Sequence, residues 1–78
     1  MNGRLVLIDL INKYIGKGNY KQIKSNYPYL TLEFSSREQY YKAKDIIKDS
    51  TELKTFFPDY NKNFWTINFD YGIAKCQN

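Results

Sequence analysis

Histidine is absent from this chain of 78 residues, and cysteine, tryptophan and methionine each occur once. The lack of histidine removes the commonest general base and the commonest metal ligand of proteins. A single cysteine, Cys76, cannot form an internal disulfide, whereas small secreted domains usually contain several. We therefore expect a cytoplasmic protein, and we predict neither a metal nor another cofactor.

The chain also lacks the motifs that cradle phosphates or activate nucleophiles. Gly16-Lys17-Gly18 has neither the spacing of a P-loop nor the Ser or Thr that follows one, and no Gly-x-Ser-x-Gly elbow is present. The eight acidic residues fit solvated faces and turns better than a site that grips a divalent cation. The sequence therefore predicts a protein that is not an enzyme.

No apolar run approaches the ~20 residues that cross a bilayer. Asp9 interrupts the apolar stretch Leu5–Ile8, so we predict no signal peptide and no membrane contact. The length suits one domain over residues 1–78, with residues 72–78 as a flexible tail. Its core must come from the aromatic residues, which make up 18% of the chain.

Three segments have a clear local pattern. The first is an amphipathic helix over residues 3–15, with a short strand over Arg4–Ile8 as the alternative. Tyr29–Ser35 alternates apolar and polar residues, as a half-buried strand does. Ser35 and Glu38 then form a capping box, which predicts a helix that extends to about Asp49.

The remaining segments complete a predicted order of α-β-α-β-β. Residues 16–28 are expected to be a long connection, with one turn or a short strand near Tyr20–Ile23. Leu53–Phe57 and Phe64–Tyr71 are predicted strands, with a hairpin turn at Asn61–Asn63. This order predicts a two-layer α+β fold, a three-stranded sheet with two helices on one face. If its first two strands are parallel neighbours, a right-handed crossover joins them.

The positive charge is concentrated early in the chain. Five basic residues stand against Asp9 alone in residues 1–30, which accounts for the whole net charge of +4. Lysines release counterions from phosphates, and exposed tyrosines stack on bases. We therefore predict a surface for nucleic acid, with single strands favoured, or for an acidic protein. The alternative is a solvated loop that its tyrosines hold onto the core. The predicted binding residues are Lys13, Lys17, Tyr20, Lys21, Lys24 and Tyr27.

A second candidate surface is aromatic. Residues 56–65 contain five aromatic side chains that cannot all point inward, because strand neighbours face opposite sides. We expect Phe64 and either Phe56 or Phe57 on the outer face of the sheet, unless residues 18–28 or 72–78 cover that face. Such a surface suits a homo-oligomer, or an inhibitor or adaptor protein of the kind found in phages and mobile elements. The predicted interface residues are Phe56, Phe57, Tyr60 and Phe64.

The run Tyr60–Ile67, which follows a short helix, resembles the end of helicase-associated β-α-β-β modules. The resemblance implies a hairpin at this place and assigns no functional residue.

Overall fold

The computed structural model describes residues 3–72. This part of the chain folds into three α-helices, one short 3₁₀ helix and a sheet of four strands. The elements in chain order are α1 (Gly3–Tyr14), the 3₁₀ helix (Lys17–Asn19), β1 (Gln22–Asn26), β2 (Tyr29–Glu33), α2 (Arg37–Asp49), α3 (Thr51–Lys54), β3 (Asp59–Asn61) and β4 (Thr66–Asp70). The α+β class is confirmed, whereas the three-stranded sheet and the order α-β-α-β-β are wrong.

Helix α1 has the predicted apolar stripe. Leu7 and Ile11 are buried on it, and Ile15 joins the core just after the last turn. The helix ends where the Gly16 amide donates to the Ile11 carbonyl at 3.1 Å. Gly16 has a φ of 92°, a backbone conformation that glycine adopts without steric cost. The predicted helix is therefore confirmed, and the alternative, a short strand over Arg4–Ile8, is wrong.

Strand β1 occupies much of the segment that the sequence predicted as a connection. It pairs with β2 in antiparallel register, with Gln22 opposite Glu33 and Asn26 opposite Tyr29. Four of its five residues are exposed, so its own pattern carries no alternation. The turn of this hairpin contains the cis bond between Tyr27 and Pro28. The strand exists because β2 offers it backbone partners.

Helix α2 begins one residue later than predicted. The Ser36 hydroxyl accepts from the Gln39 amide at 3.2 Å, and the Gln39 side chain accepts from the Ser35 amide at 2.9 Å. These bonds satisfy amides that have no partner inside a helix. The cap therefore uses Ser36 and Gln39 in place of Ser35 and Glu38. The predicted end at Asp49 is confirmed.

The predicted strand over Leu53–Phe57 is wrong. The buried Ser50 hydroxyl accepts from the Leu53 amide at 3.1 Å and caps α3. Leu53 is buried on this single turn of helix, and Phe56 is buried just after it. The strand that follows is β3, which pairs with β4 in a hairpin whose turn spans residues 62–65, later than the predicted Asn61–Asn63.

The sheet is antiparallel throughout, in the order β1-β2-β4-β3. Strands β2 and β4 are antiparallel neighbours, with Thr31 opposite Asn68, so the parallel crossover does not occur. Apart from the 3₁₀ helix and α3, the element order repeats α-β-β, and each hairpin contributes one central and one edge strand. Two similar units therefore meet along β2 and β4, although the sequence shows no repeat.

One face of the sheet forms the core with the helices. Leu30 and Leu32 of β2 and Ile67 and Phe69 of β4 are fully buried in one cluster with side chains from α1, α2 and α3. The opposite face is polar. Thr31 donates to Asn68 at 2.9 Å on that face. The apolar outer face that the sequence predicted is therefore wrong.

Strand β4 ends against the turn of the first hairpin. The Tyr71 amide donates to the Pro28 carbonyl at 2.9 Å. A Cβ at Gly72 would lie 2.6 Å from the Pro28 Cβ, so this close approach requires glycine. The predicted tail beyond Gly72 lies outside the described residues. No helix described between residues 3 and 72 is long and apolar enough to cross a membrane.

Candidate nucleic-acid interface

The predicted basic residues are distributed over four consecutive elements. Lys13 lies on the last turn of α1, with its Nζ 5.1 Å from the centroid of the Tyr14 ring. Lys17 begins the 3₁₀ helix, Lys21 precedes β1 and Lys24 lies within β1. All four side chains are exposed. One of these four lysines, Lys24, forms an ion pair with an acidic side chain.

That contact is between Lys24 and Glu33. The Lys24 ammonium lies 3.1 Å from the Glu33 carboxylate, which also accepts from the Gln22 amide group at 2.6 Å. These hydrogen bonds, from Gln22 and then from Lys24, lower the pKa of Glu33, and the nearby charge of Lys21 lowers it further. Part of the positive charge predicted here is therefore neutralised within the protein.

The predicted tyrosines differ in what they do. Tyr20 is half-buried, and its hydroxyl donates to Asn12 of α1 at 2.7 Å. Burial raises the pKa of Tyr20. Tyr27 is 69% exposed, with its ring edge-on to Tyr71 at 5.5 Å. Tyr20 therefore packs the segment onto α1, and Tyr27 is the predicted ring that is open to a ligand.

The outer face of the sheet has an unfavourable charge for a polyanion. At the outward positions of the four described strands, Lys24 is the one cation, and Glu33, Asp59 and Asp70 are the anions. One positive and three negative charges leave this face net negative. We therefore do not place the nucleic acid on it.

The four predicted interface residues lie in different environments. Phe56 is buried, and Tyr60 lies on the inner face of β3 opposite Ile67. Phe57 is 46% exposed after α3, and Phe64 is 73% exposed in the turn between β3 and β4. The Phe56 carbonyl accepts from the Asp70 amide at the last residue of β4, whereas Phe64 lies just before the first residue of β4. Phe57 and Phe64 therefore lie at opposite ends of that strand. The structure does not bring the four together.

Helix α2 carries a second set of cations, arranged along one side. Arg37, Tyr41, Lys44 and Lys48 follow at intervals of four, three and four residues. At 3.6 residues a turn, they occupy a sector of about 60°. The acids of the helix, Glu38, Asp45 and Asp49, fall in a separate sector of about 40°. Lys42 lies about 20° from Asp49, beside the acids, so three of the four cations of the helix are set apart from its negative charges.

The cations of this sector lie over tyrosine rings. The Arg37 guanidinium is 5.5 Å and the Lys44 ammonium 5.7 Å from the centre of the Tyr41 ring. Lys44 and Lys48 lie 5.1 Å and 6.0 Å from the ring of Tyr60. Each such contact stabilises an exposed pair by about 0.5–1 kcal/mol. We call this set the α2 basic ridge; it consists of Arg37, Tyr41, Lys44, Lys48 and Tyr60.

A packed aromatic cluster supports the ridge from below. The Trp65 ring lies 5.4 Å from Tyr40 and 6.2 Å from Tyr41, and Tyr40 is fully buried. Burial raises the pKa of Tyr60, and the charge of Tyr40 raises it further. The Tyr60 hydroxyl therefore stays neutral at physiological pH and leaves the positive charge of the ridge intact.

Within the part of the chain that the structure describes, no acidic side chain forms an ion pair with a cation of the α2 basic ridge. Arg37, Lys44 and Lys48 have no carboxylate within ion-pair distance there. The rings attract the cations without supplying a negative charge. The ridge therefore holds three cations in a row that have no ion-pair partner among the described residues.

The ridge was not among the surfaces predicted from the sequence. The spacing of Arg37, Tyr41, Lys44 and Lys48 was a usable signal, because it follows the helical period. The contribution of Tyr60 was not visible, since β3 brings it to α2 from a distant part of the chain.

Among residues 3–72, no group of three or more His, Cys, Asp or Glu side chains is placed to hold a metal ion. Cys76 lies outside the described residues. Comparisons with family models, with curated proteins and with solved structures find no match to this chain.

Proposed function

We propose that this chain is a small non-enzymatic protein that binds single-stranded nucleic acid, and that the α2 basic ridge is its main contact. One observation carries the proposal. Three cations lie in one helical sector over tyrosine rings, with no carboxylate partner among the described residues.

Phosphates are the ligand that fits these cations best. A guanidinium and two ammonium groups can each displace counterions from a polyanion. Arg37 and Lys48 are exposed, and Lys44 is half-buried between Tyr41 and Tyr60. The rings restrict the cations to positions beside the helix, which reduces the conformational entropy that binding would otherwise remove.

The N-terminal lysines are a secondary contact in this proposal. Lys13, Lys17 and Lys21 are exposed and add positive charge, whereas Lys24 is held by Glu33. Long-range attraction to these charges raises the rate of association more than it fixes the position of the ligand. We therefore expect them to contribute less affinity than the ridge.

Fluorescence polarisation with a labelled single strand of about 12 nucleotides, within the site sizes of small binding folds, tests the proposal. The wild type should lose about 20-fold in affinity from ~50 to ~200 mM salt if it makes three phosphate contacts. The triple variant Arg37→Gln, Lys44→Gln, Lys48→Gln should bind at least ~10-fold more weakly at the lower salt, with a flatter salt dependence.

The matched control is Lys13→Gln, Lys17→Gln, Lys21→Gln, which removes the same charge elsewhere. It should weaken binding less than the ridge variant does. Equal losses in the two variants would show a diffuse charge effect and contradict the assignment to the ridge. Absence of wild-type binding at low salt would remove the proposed function altogether.

A protein-binding inhibitor or adaptor is the second candidate, and the exposure of Phe57 and Phe64 favours it. A partner that binds through them must contact two ends of β4. Pull-down from nuclease-treated lysate with the wild type and the Phe57→Ala, Phe64→Ala double variant tests this candidate. A protein retained by the wild type and lost by the variant supports it.

A further inference from the structure

Phe64 is the most exposed of the large apolar side chains that the structure describes, at 73%. It lies in a turn that is held by two hydrogen bonds at Asn61. The Phe64 amide donates to the Asn61 carbonyl at 3.3 Å, and the Asn63 amide donates to the Asn61 side chain at 3.1 Å. Phe64 is therefore displayed on an ordered turn and not on a loose loop.

The residue after Phe64 fixes this turn to α2. Trp65 packs its ring against Tyr40 and Tyr41, and its carbonyl accepts from the Phe34 amide at 3.0 Å. Trp65 has a φ of 52°, which reverses the chain here and allows neighbouring side chains to take different directions. Trp65 thus points into the molecule while Phe64 remains outside.

The turn lies at the Arg37 end of the α2 basic ridge. Tyr41 contacts both Trp65, at 6.2 Å between ring centres, and the Arg37 guanidinium, at 5.5 Å. Phe64 is one residue from Trp65, and the exposed Lys62 lies in the same turn. A ring open to solvent is therefore one residue from the Trp65 ring, which packs against the tyrosine beneath Arg37 and Lys44.

The rings of the ridge are not open in this way. Arg37 and Lys44 lie over Tyr41, and Lys44 and Lys48 lie over Tyr60. Both tyrosines are also half-buried. A base cannot stack on a ring face that a cation covers, so the ridge can contact phosphates but offers no platform for bases.

We infer that Phe64 is a base-stacking residue of this protein, and that an unpaired base lies on its ring while the α2 basic ridge holds the adjoining phosphates. This inference rests on the proposed function and adds a second requirement to it. The ligand must have unpaired bases, because a base within a duplex is stacked between its neighbours and does not present its face.

Three fluorescent probes of equal length separate the two contacts: an oligothymidylate, a fully abasic strand and a blunt duplex. The wild type should bind the oligothymidylate most tightly. Phe64→Ala should weaken that binding by roughly 5- to 150-fold, the value of one base–aromatic stack. It should leave binding to the abasic strand unchanged, and Phe64→Trp should keep the wild-type preference for bases.

Phe57→Ala is the matched control, because it removes the other exposed phenylalanine, at the far end of β4. It should bind all three probes as the wild type does, and thermal melting should confirm that each variant folds. Equal wild-type affinity for the oligothymidylate and the abasic strand would overturn the base-stacking role and leave the proposed function standing. If Phe64→Ala lost binding to both the oligothymidylate and the abasic strand at an unchanged melting temperature, the base-stacking role would be overturned as well. A wild type that binds none of the probes would overturn both.

Discussion

The N-terminal basic segment and the α2 basic ridge are built from the same residue types, and the fold uses them differently. In the N-terminal segment, the Tyr20 hydroxyl bonds to Asn12 and Lys24 pairs with Glu33. In the ridge, Lys44 lies between two rings and has no acid partner among the described residues. In the first region one tyrosine and one lysine are therefore held by polar partners within the protein, whereas the lysines of the second region lie over rings and keep their charge.

The difference lies in what each cation faces. A carboxylate neutralises the charge of a lysine, whereas a ring attracts the lysine through its quadrupole and leaves the net charge unchanged. Counting lysines and tyrosines along the sequence therefore cannot separate a binding surface from a packed one; their partners in the fold do.

Replacement of one tyrosine in each region should give the clearest contrast. Tyr20→Ala and Tyr60→Ala each remove a half-buried ring, so each should lower the free energy of unfolding by about 2 kcal/mol, less than a fully buried aromatic. Only Tyr60→Ala should also weaken binding of a single strand, by about fivefold, because Lys44 and Lys48 lose the ring that positions them. Urea denaturation and fluorescence polarisation measure the two effects.

Tyr60→Phe is the control for this pair. It keeps the ring beneath the lysines and should bind as the wild type does. Weaker binding by Tyr20→Ala, to the same extent as Tyr60→Ala, would show that the two regions act as one surface and would remove the distinction between them.

Removal of the negative charge that pairs with Lys24 should make this lysine available to a ligand, as the lysines of the α2 basic ridge are. Glu33→Gln keeps an oxygen that can accept from Gln22 but removes the negative charge that faces Lys24. Affinity for a single strand at ~50 mM salt should rise by up to about fivefold, the upper range for one exposed ion pair. The gain should disappear in the double variant with Lys24→Gln. No gain at low salt would indicate that Lys24 lies outside the path of the ligand.

The smallest expected effect concerns pH. The pKa of Glu33 is lowered in the folded protein, chiefly by the hydrogen bonds from Gln22 and Lys24. Its contribution to stability is therefore fully present above the ordinary pKa of a glutamate and is lost as the pH falls through the lowered value. NMR titration of the Glu33 carboxyl should show the lowered pKa in the wild type. Lys24→Gln should move it upward, and an unchanged value would contradict the ion pair.

The parts of the fold that the sequence predicted are those with a strong local pattern. The stripe of α1 and the alternation around Leu30 and Leu32 gave correct elements, because each buries one side of a regular structure. Strand β1 has only Ile23 partly buried and owes its structure to pairing with β2. The run from Leu53 to Phe57 has strand-forming side chains, but the Ser50 cap and the burial of Leu53 make its start helical.

The candidate site divides in the same way. The helical spacing from Arg37 to Lys48 could have been read from the sequence, whereas the position of Tyr60 beneath the lysines depends on how β3 pairs with β4. The exposure of Phe64 was expected, but as part of a sheet face and not of a turn. Its isolation from Phe57 follows from the strand order, which no local pattern contains.

The chain has a single tryptophan, Trp65, which lies in the β3–β4 turn and packs against Tyr40 and Tyr41 of α2. Indole emission in this protein therefore comes from one known position. The wavelength and intensity of this emission report, without a label, whether the β3–β4 turn stays packed against α2 during ligand titrations and during unfolding.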